Sequence, residues 1–130
     1  MSNIPGDLQY TRSHEWVRRL PNGQVEVGIT HHAQEALGDL VFVEVPPMGG
    51  AVTAGEACAV VESVKAASDV YSPVSGRVIA SNDDLVQRPE LLNQDPYGAG
   101  WLIRVALDAS APGGALLTAA EYAQMLDAAG

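Results

Sequence analysis

Cysteine is almost missing from this 130-residue chain, which holds only Cys58. A single thiol excludes an intramolecular disulfide and any multi-cysteine zinc site, and it suits a reducing compartment. Long apolar runs are missing too. The longest, Ala57 to Val61, falls far short of the ~20 residues that a membrane helix needs. Residues 1–10 hold no basic stretch leading into an apolar one and are not rich in arginine, so no signal or transit peptide is expected there. Positive charge is also scarce, with seven basic against sixteen acidic side chains and a formal charge of −9. Such a field repels a phosphate backbone, making nucleic acid a poor partner and a protein surface with basic patches a better one. Six of the seven basic residues are arginines and one is a lysine, Lys65. Any chemistry that needs a lysine amine in this chain has to use Lys65.

What is present reads as a globular chain, with 47% apolar and 18% charged residues. At this length a single domain is expected, with roughly two-thirds of the unfolded surface hidden on folding. Val25, Val27 and Ile29 alternate with Glu26, Gly28 and Thr30, the period of a half-buried strand. Glu15 to Leu20 is its expected partner, joined through Pro21-Asn22-Gly23-Gln24, because Asn-Gly tolerates the positive φ of a tight hairpin. A short helix is expected over His31 to Leu37, capped by Thr30 and stopped by Gly38. Further strands are expected over 39–45 (with Val41, Val43 and Val45 on one face), 57–64, 68–72, 77–81 and 101–107. In the last of these Trp101, Ile103 and Val105 would share a face. Pro89 to Asn93 reads as one helical turn. Many short strands at this spacing predict a compact β sandwich or barrel. The C-terminus differs: Thr118 and Glu121 form a capping box, with Leu117 and Tyr122 at the staple positions. Tyr122, Met125, Leu126 and Ala129 then mark one apolar face of a helix over about 119–128.

The segment from Gly55 to Gly76 carries the chemistry. It reads as two strands facing each other across a reversal, with Lys65 at the reversal and projecting into solvent. An exposed amine next to Glu62 and Asp69 stays protonated, which makes it a poor base or Schiff-base nucleophile. Such a lysine is suited to being found and acylated by another enzyme.

Glu62-Ser63-Val64-Lys65-Ala66, then Ser68-Asp69 and the run from Tyr71 to Gly76, resemble the lipoyl-lysine hairpin of the glycine cleavage H-protein family. Biotinyl carriers have methionine on both sides of their lysine, and lipoyl domains of 2-oxo acid dehydrogenases usually have Asp-Lys-Ala. The similarity continues in order through Ser13-His14-Glu15-Trp16, Val27-Gly28-Ile29-Thr30, Ala33-Gln34 and Leu37-Gly38-Asp39. Pro89, Asn93, Asp95-Pro96-Tyr97, Gly100-Trp101-Leu102 and Glu121-Tyr122 complete it. The departures are His31-His32 where an acidic residue is more usual, Cys58 in its strand, and Arg77 after Gly76.

This resemblance implies a mainly β, flattened barrel-sandwich hybrid of the lipoyl/biotinyl type, one domain over 1–130, with short peripheral helices. It implies a carrier rather than an enzyme, with lipoic acid in amide linkage to Lys65. The implied partners are a pyridoxal-phosphate glycine decarboxylase, a tetrahydrofolate aminomethyltransferase, dihydrolipoyl dehydrogenase and the lipoylating enzymes. The aminomethyl group of glycine would pass from the first to the second, and dihydrolipoyl would then be presented to the third. Ser13, Glu15 and Asp69 would face the aminomethyl ammonium in a cleft that protects it from water. Glu62 and Gly76 would be read by the lipoylating enzymes, with Gly76 primarily a turn former. A monomer in a bacterial cytoplasm is expected. Three alternatives stay open: a relay donating lipoyl groups to 2-oxo acid dehydrogenases, a biotin carrier, and an autonomous enzyme using Lys65 or Cys58. His31 and His32 are read as exposed helix-start residues rather than metal ligands, since neighbours on a helix point apart. Cys58 is read as a small buried hydrophobe.

Overall fold

The computed structural model describes residues 4–108 and 116–129. In chain order its elements are β1 (Gln9–Tyr10), β2 (Glu15–Leu20), β3 (Gln24–Ile29), α1 (His31–Leu37), β4 (Leu40–Glu44), β5 (Ala51–Val52), β6 (Ala57–Ser63) and β7 (Ala67–Tyr71). They are followed by β8 (Gly76–Ser81), α2 (Asp84–Gln87), α3 (Leu91–Gln94), β9 (Ile103–Leu107) and α4 (Ala119–Ala129). The strands form a six-stranded sheet in the order β1-β2-β3-β9-β8-β5 and a three-stranded sheet in the order β4-β6-β7.

The two sheets pack on one apolar core. Val25 and Val27 of β3, Val78 of β8, and Ile103 and Val105 of β9 meet Val43, Ala59, Val61 and Val70 of the smaller sheet. Leu85 of α2 and Leu92 of α3, both fully buried, belong to the same core. A second cluster forms around Leu8, Tyr10, Trp16 and Tyr122, where Leu117, Met125 and Leu126 place the amphipathic side of α4. Tyr10 and Tyr122 stack there at 4.7 Å.

The local signals act where the sequence places them. Asn22 and Gly23 take φ of 66° and 72° in the β2–β3 turn. Thr30 Oγ1 accepts the Ala33 N–H to start α1, and Gly38 ends it at φ 84°. At α4, Thr118 and Glu121 exchange side chain to backbone bonds of 2.9 and 3.1 Å, the expected capping box. The Ala129 side chain of its apolar stripe lies outside the described residues.

Two expected faces are corrected. A register shift between Leu40 and Phe42 breaks the alternation of β4, so Val41 is 55% exposed while Val43 is 1% exposed. Trp101 precedes β9 and packs with the second cluster, not with Ile103 and Val105. Its ring lies under the Arg104 guanidinium, 4.2 Å from its centroid. Arg104 and Arg18 both pair with buried Glu26, at 3.0 and 2.7 Å. The three residues are cross-strand neighbours, on the face of β3 opposite core residues Val25 and Val27.

Candidate functional site

Lys65 stands in the reversal between β6 and β7, as expected. Ser63 fixes that reversal: its Oγ accepts the N–H groups of Lys65 (3.1 Å) and Ala66 (3.2 Å). Its own N–H donates to Ala66 O at 2.8 Å, and Val64 N–H donates to Asp39 O at 3.2 Å. A serine competing for nearby backbone groups is a natural turn former. The side chain of Lys65 is exposed but does not simply project into solvent. Its Nζ donates to Ala36 O, 3.1 Å away in the last turn of α1, where a cation meets the negative end of the helix. A Cβ on Gly38 would lie 3.3 Å from Lys65 Cε. A covalent acyl group fits this lysine, because the amine is reachable and the backbone beneath it is held.

Two of the residues expected around the cargo, Ser13 and Glu15, lie where β1 turns into β2. Glu15 is 2% exposed, against the ordinary expectation for a carboxylate. Its Oε1 accepts from Thr11 Oγ1 and from Ser13 Oγ, each at 2.6 Å. Its Oε2 accepts the Tyr71 N–H at 3.3 Å, tying it to the end of β7. Burial pushes the Glu15 carboxyl above its usual pKa, and these donors offset only part of that. Asp69 is exposed and shares the Tyr71 face of β7, since alternate residues point the same way. It lies at most about 13 Å along the chain from Lys65 on strand spacing. The structure therefore joins Ser13 to Glu15 directly and sets Asp69 one pleat nearer the lysine. Thr11 and Tyr71 are additions that sequence reasoning missed.

His14 takes a positive φ of 74°, and its Nδ1 lies 2.7 Å from the Tyr122 hydroxyl, which also meets Thr30 Oγ1 at 2.8 Å. Burial, then the charge of His32, holds the His14 imidazole below its ordinary pKa. The adjacent histidines do diverge, but neither is exposed. His32 packs on the His14 ring at 4.6 Å, and His31 pairs with Glu35 at 3.3 Å. Cys58 is only half-buried, and desolvation followed by the nearby Glu15 charge pushes its thiol up to about 12.

Glu62 faces Phe42 and Ala67 across the smaller sheet, three residues before Lys65. Gly76 requires a different explanation from the expected turn. It is the first residue of β8 and is absent from the positive-φ glycines. An added Cβ would instead strike Ala106 O and come within 2.8 Å of Val105 Cγ1. Close packing against β9, not conformational freedom, excludes a side chain there.

The family model described as "Glycine cleavage H-protein" matches residues 8–129. This chain belongs to that family. A glycine cleavage system H protein from Aeromonas hydrophila is 57% identical over 130 residues, covering all of this chain and 94% of the relative. One from Shewanella frigidimarina is 56% identical over 127 residues, covering 98% of each chain. The crystal structure of a glycine cleavage system H protein from Mycobacterium marinum matches with a TM-score of 0.88 and 49% identity, over 95% of this chain and 99% of that one. The two open sheets with peripheral helices are thus the barrel-sandwich of this carrier family. Membership supports the lipoyl-carrier role in glycine cleavage.

Proposed function

We propose that Lys65 bears lipoic acid in amide linkage, and that the chain carries the aminomethyl group of glycine from the pyridoxal-phosphate decarboxylase to the tetrahydrofolate aminomethyltransferase. It then presents dihydrolipoyl to dihydrolipoyl dehydrogenase. The lipoyl group supplies the redox-active sulfur pair; the protein supplies presentation and shelter. The observation that carries this reading is an exposed lysine amine on a turn pinned by Ser63. Glu62 and Gly76 flank that hairpin, and we assign them to recognition by the lipoylating enzymes.

Shelter is the task of Ser13, Glu15 and Asp69. An S-bound aminomethyl group exposed to water is lost as ammonia and formaldehyde, so excluding water preserves it. A buried carboxylate linked to a serine hydroxyl attracts the ammonium by charge-assisted hydrogen bonding. That pairing favours a cationic cargo over a simple relay of lipoyl groups. The chain would act as a monomeric carrier in the bacterial cytoplasm, with no catalytic group of its own.

The test is Lys65→Arg, which keeps the charge and removes the acylatable amine. Intact-mass spectrometry should find the lipoyl increment on the natural chain and none on the variant. The folded variant should support no glycine decarboxylation with the partner enzymes, and restored turnover would contradict the scheme.

A further inference from the structure

Two hydroxyls converge on one oxygen at the β1–β2 turn. Thr11 Oγ1 and Ser13 Oγ both donate to Glu15 Oε1 at 2.6 Å. Their surroundings differ. Thr11 is fixed by its neighbours: Oγ1 also accepts the Glu15 N–H at 3.0 Å, and its own N–H donates to Glu15 O at 3.0 Å. Its carbonyl accepts the His14 N–H at 3.2 Å. Ser13 is exposed, and besides Glu15 its hydroxyl meets, among the described residues, only Thr11 Oγ1, at a longer 3.3 Å. One hydroxyl is built into the turn, and the other can rotate about a single bond at the solvent side.

An ammonium brings donors only, so it needs acceptor lone pairs. In the unloaded protein, Oε1 of Glu15 is occupied by the two hydroxyls and Oε2 by the Tyr71 N–H. We propose that Thr11 is the positioning residue of this pocket: it holds Glu15 in place while the Ser13 hydroxyl turns away and both Glu15 Oε1 and Ser13 Oγ accept from an arriving alkylammonium. The inference rests on Ser13 and Glu15 being the place of the cationic cargo. The exchange moves no proton and breaks no covalent bond. The Thr11 bond stays throughout, so the carboxylate keeps its orientation and one strong donor. Burial then does not drive it to the protonated, uncharged form.

The experiment uses the full, unlipoylated chain with methylammonium chloride as the probe, followed by NMR of the Glu15 side-chain carboxyl carbon. Thr11→Val should weaken methylammonium binding about tenfold, the scale of one hydrogen bond to a charged group. It should also move the Glu15 titration midpoint upward. Thr11→Ser should restore both, which a merely structural role for the threonine side chain would not require. Glu15→Gln should abolish binding. If Glu15→Gln binds the probe normally, the pocket reading itself fails. If Glu15→Gln loses binding while Thr11→Val keeps natural binding and titration, only the assignment of Thr11 falls. Should Thr11→Val not fold, the unaltered protein decides: methylammonium should shift the Ser13 side-chain resonances and leave those of Thr11 in place. The reverse pattern overturns the proposal.

Discussion

In the proposed function the lysine hairpin and the β1–β2 turn solve opposite problems. The hairpin tip leaves Val64, Lys65 and Ala66 exposed and holds their backbone with the Ser63 hydroxyl and two backbone bonds. The turn buries a carboxylate, satisfies it with three donors, and places His14 in a left-handed conformation that costs a non-glycine residue about 1–3 kcal/mol. Presentation requires a fixed platform and a free side chain. Holding a cation requires a desolvated charge, and desolvation has to be offset by surrounding structure. The tip is therefore inexpensive to build, and the turn draws on the stability of the whole sheet.

Gly76→Ala should give the largest change. The new methyl strikes Ala106 O and Val105, and overpacking of this kind costs about 1–3 kcal/mol. Urea unfolding should show it; natural stability in this variant would remove the packing against β9 as the reason for Gly76. Next comes Glu15→Ala, which should speed loss of the aminomethyl cargo into water about tenfold, the loss of one hydrogen bond to a charged group. Formaldehyde release from the loaded carrier measures it, and an unchanged rate removes Glu15 from the protective role. Ser63→Ala should unfasten the tip while leaving the turn intact. The expected cost is about 1 kcal/mol with slower lipoylation at Lys65, read from a time course of intact mass.

The smallest effect is a pH dependence confined to the turn. The His14 pKa is held below 6.5 in the folded protein, so its contribution is complete above 6.5. That contribution is lost as pH falls through the lowered value, because the unfolded chain takes up the proton first. Glu15 has the opposite sign. Its pKa is raised above 4.5, so its contribution is present below 4.5 and lost as pH rises through the raised value. His14→Asn, which accepts positive φ, should shrink the fall in Tm between pH 7.5 and 5.5.

The two regions also differ in how far the sequence reveals them. Local chemistry marks its own place: the Asn22-Gly23 turn, the Thr30 cap, the Gly38 stop and the Thr118–Glu121 box all act where expected. Lys65 at its reversal belongs to this legible class. The two-residue strands β1 and β5 are too short to display a period. The β4 bulge turns Val41 outward against its alternation. Burial of Glu15 is a tertiary property, created when the Thr11–Glu15 turn meets Tyr71 from a distant strand. Gly76 beside Ser75 resembles a turn until β9 arrives and occupies the space of a side chain.

The ladder of Arg18, Glu26 and Arg104 has a kinetic consequence. It confines two of the chain's few cations to the outer face of the larger sheet. Glu62 and Asp69 lie on β6 and β7 of the other sheet, the two strands that the lysine turn joins. With two arginines held on Glu26 and a formal charge of −9 over the chain, a basic enzyme surface attracts this carrier from a distance. Encounter rates should fall steeply once salt shortens the Debye length to about 10 Å at 0.1 M.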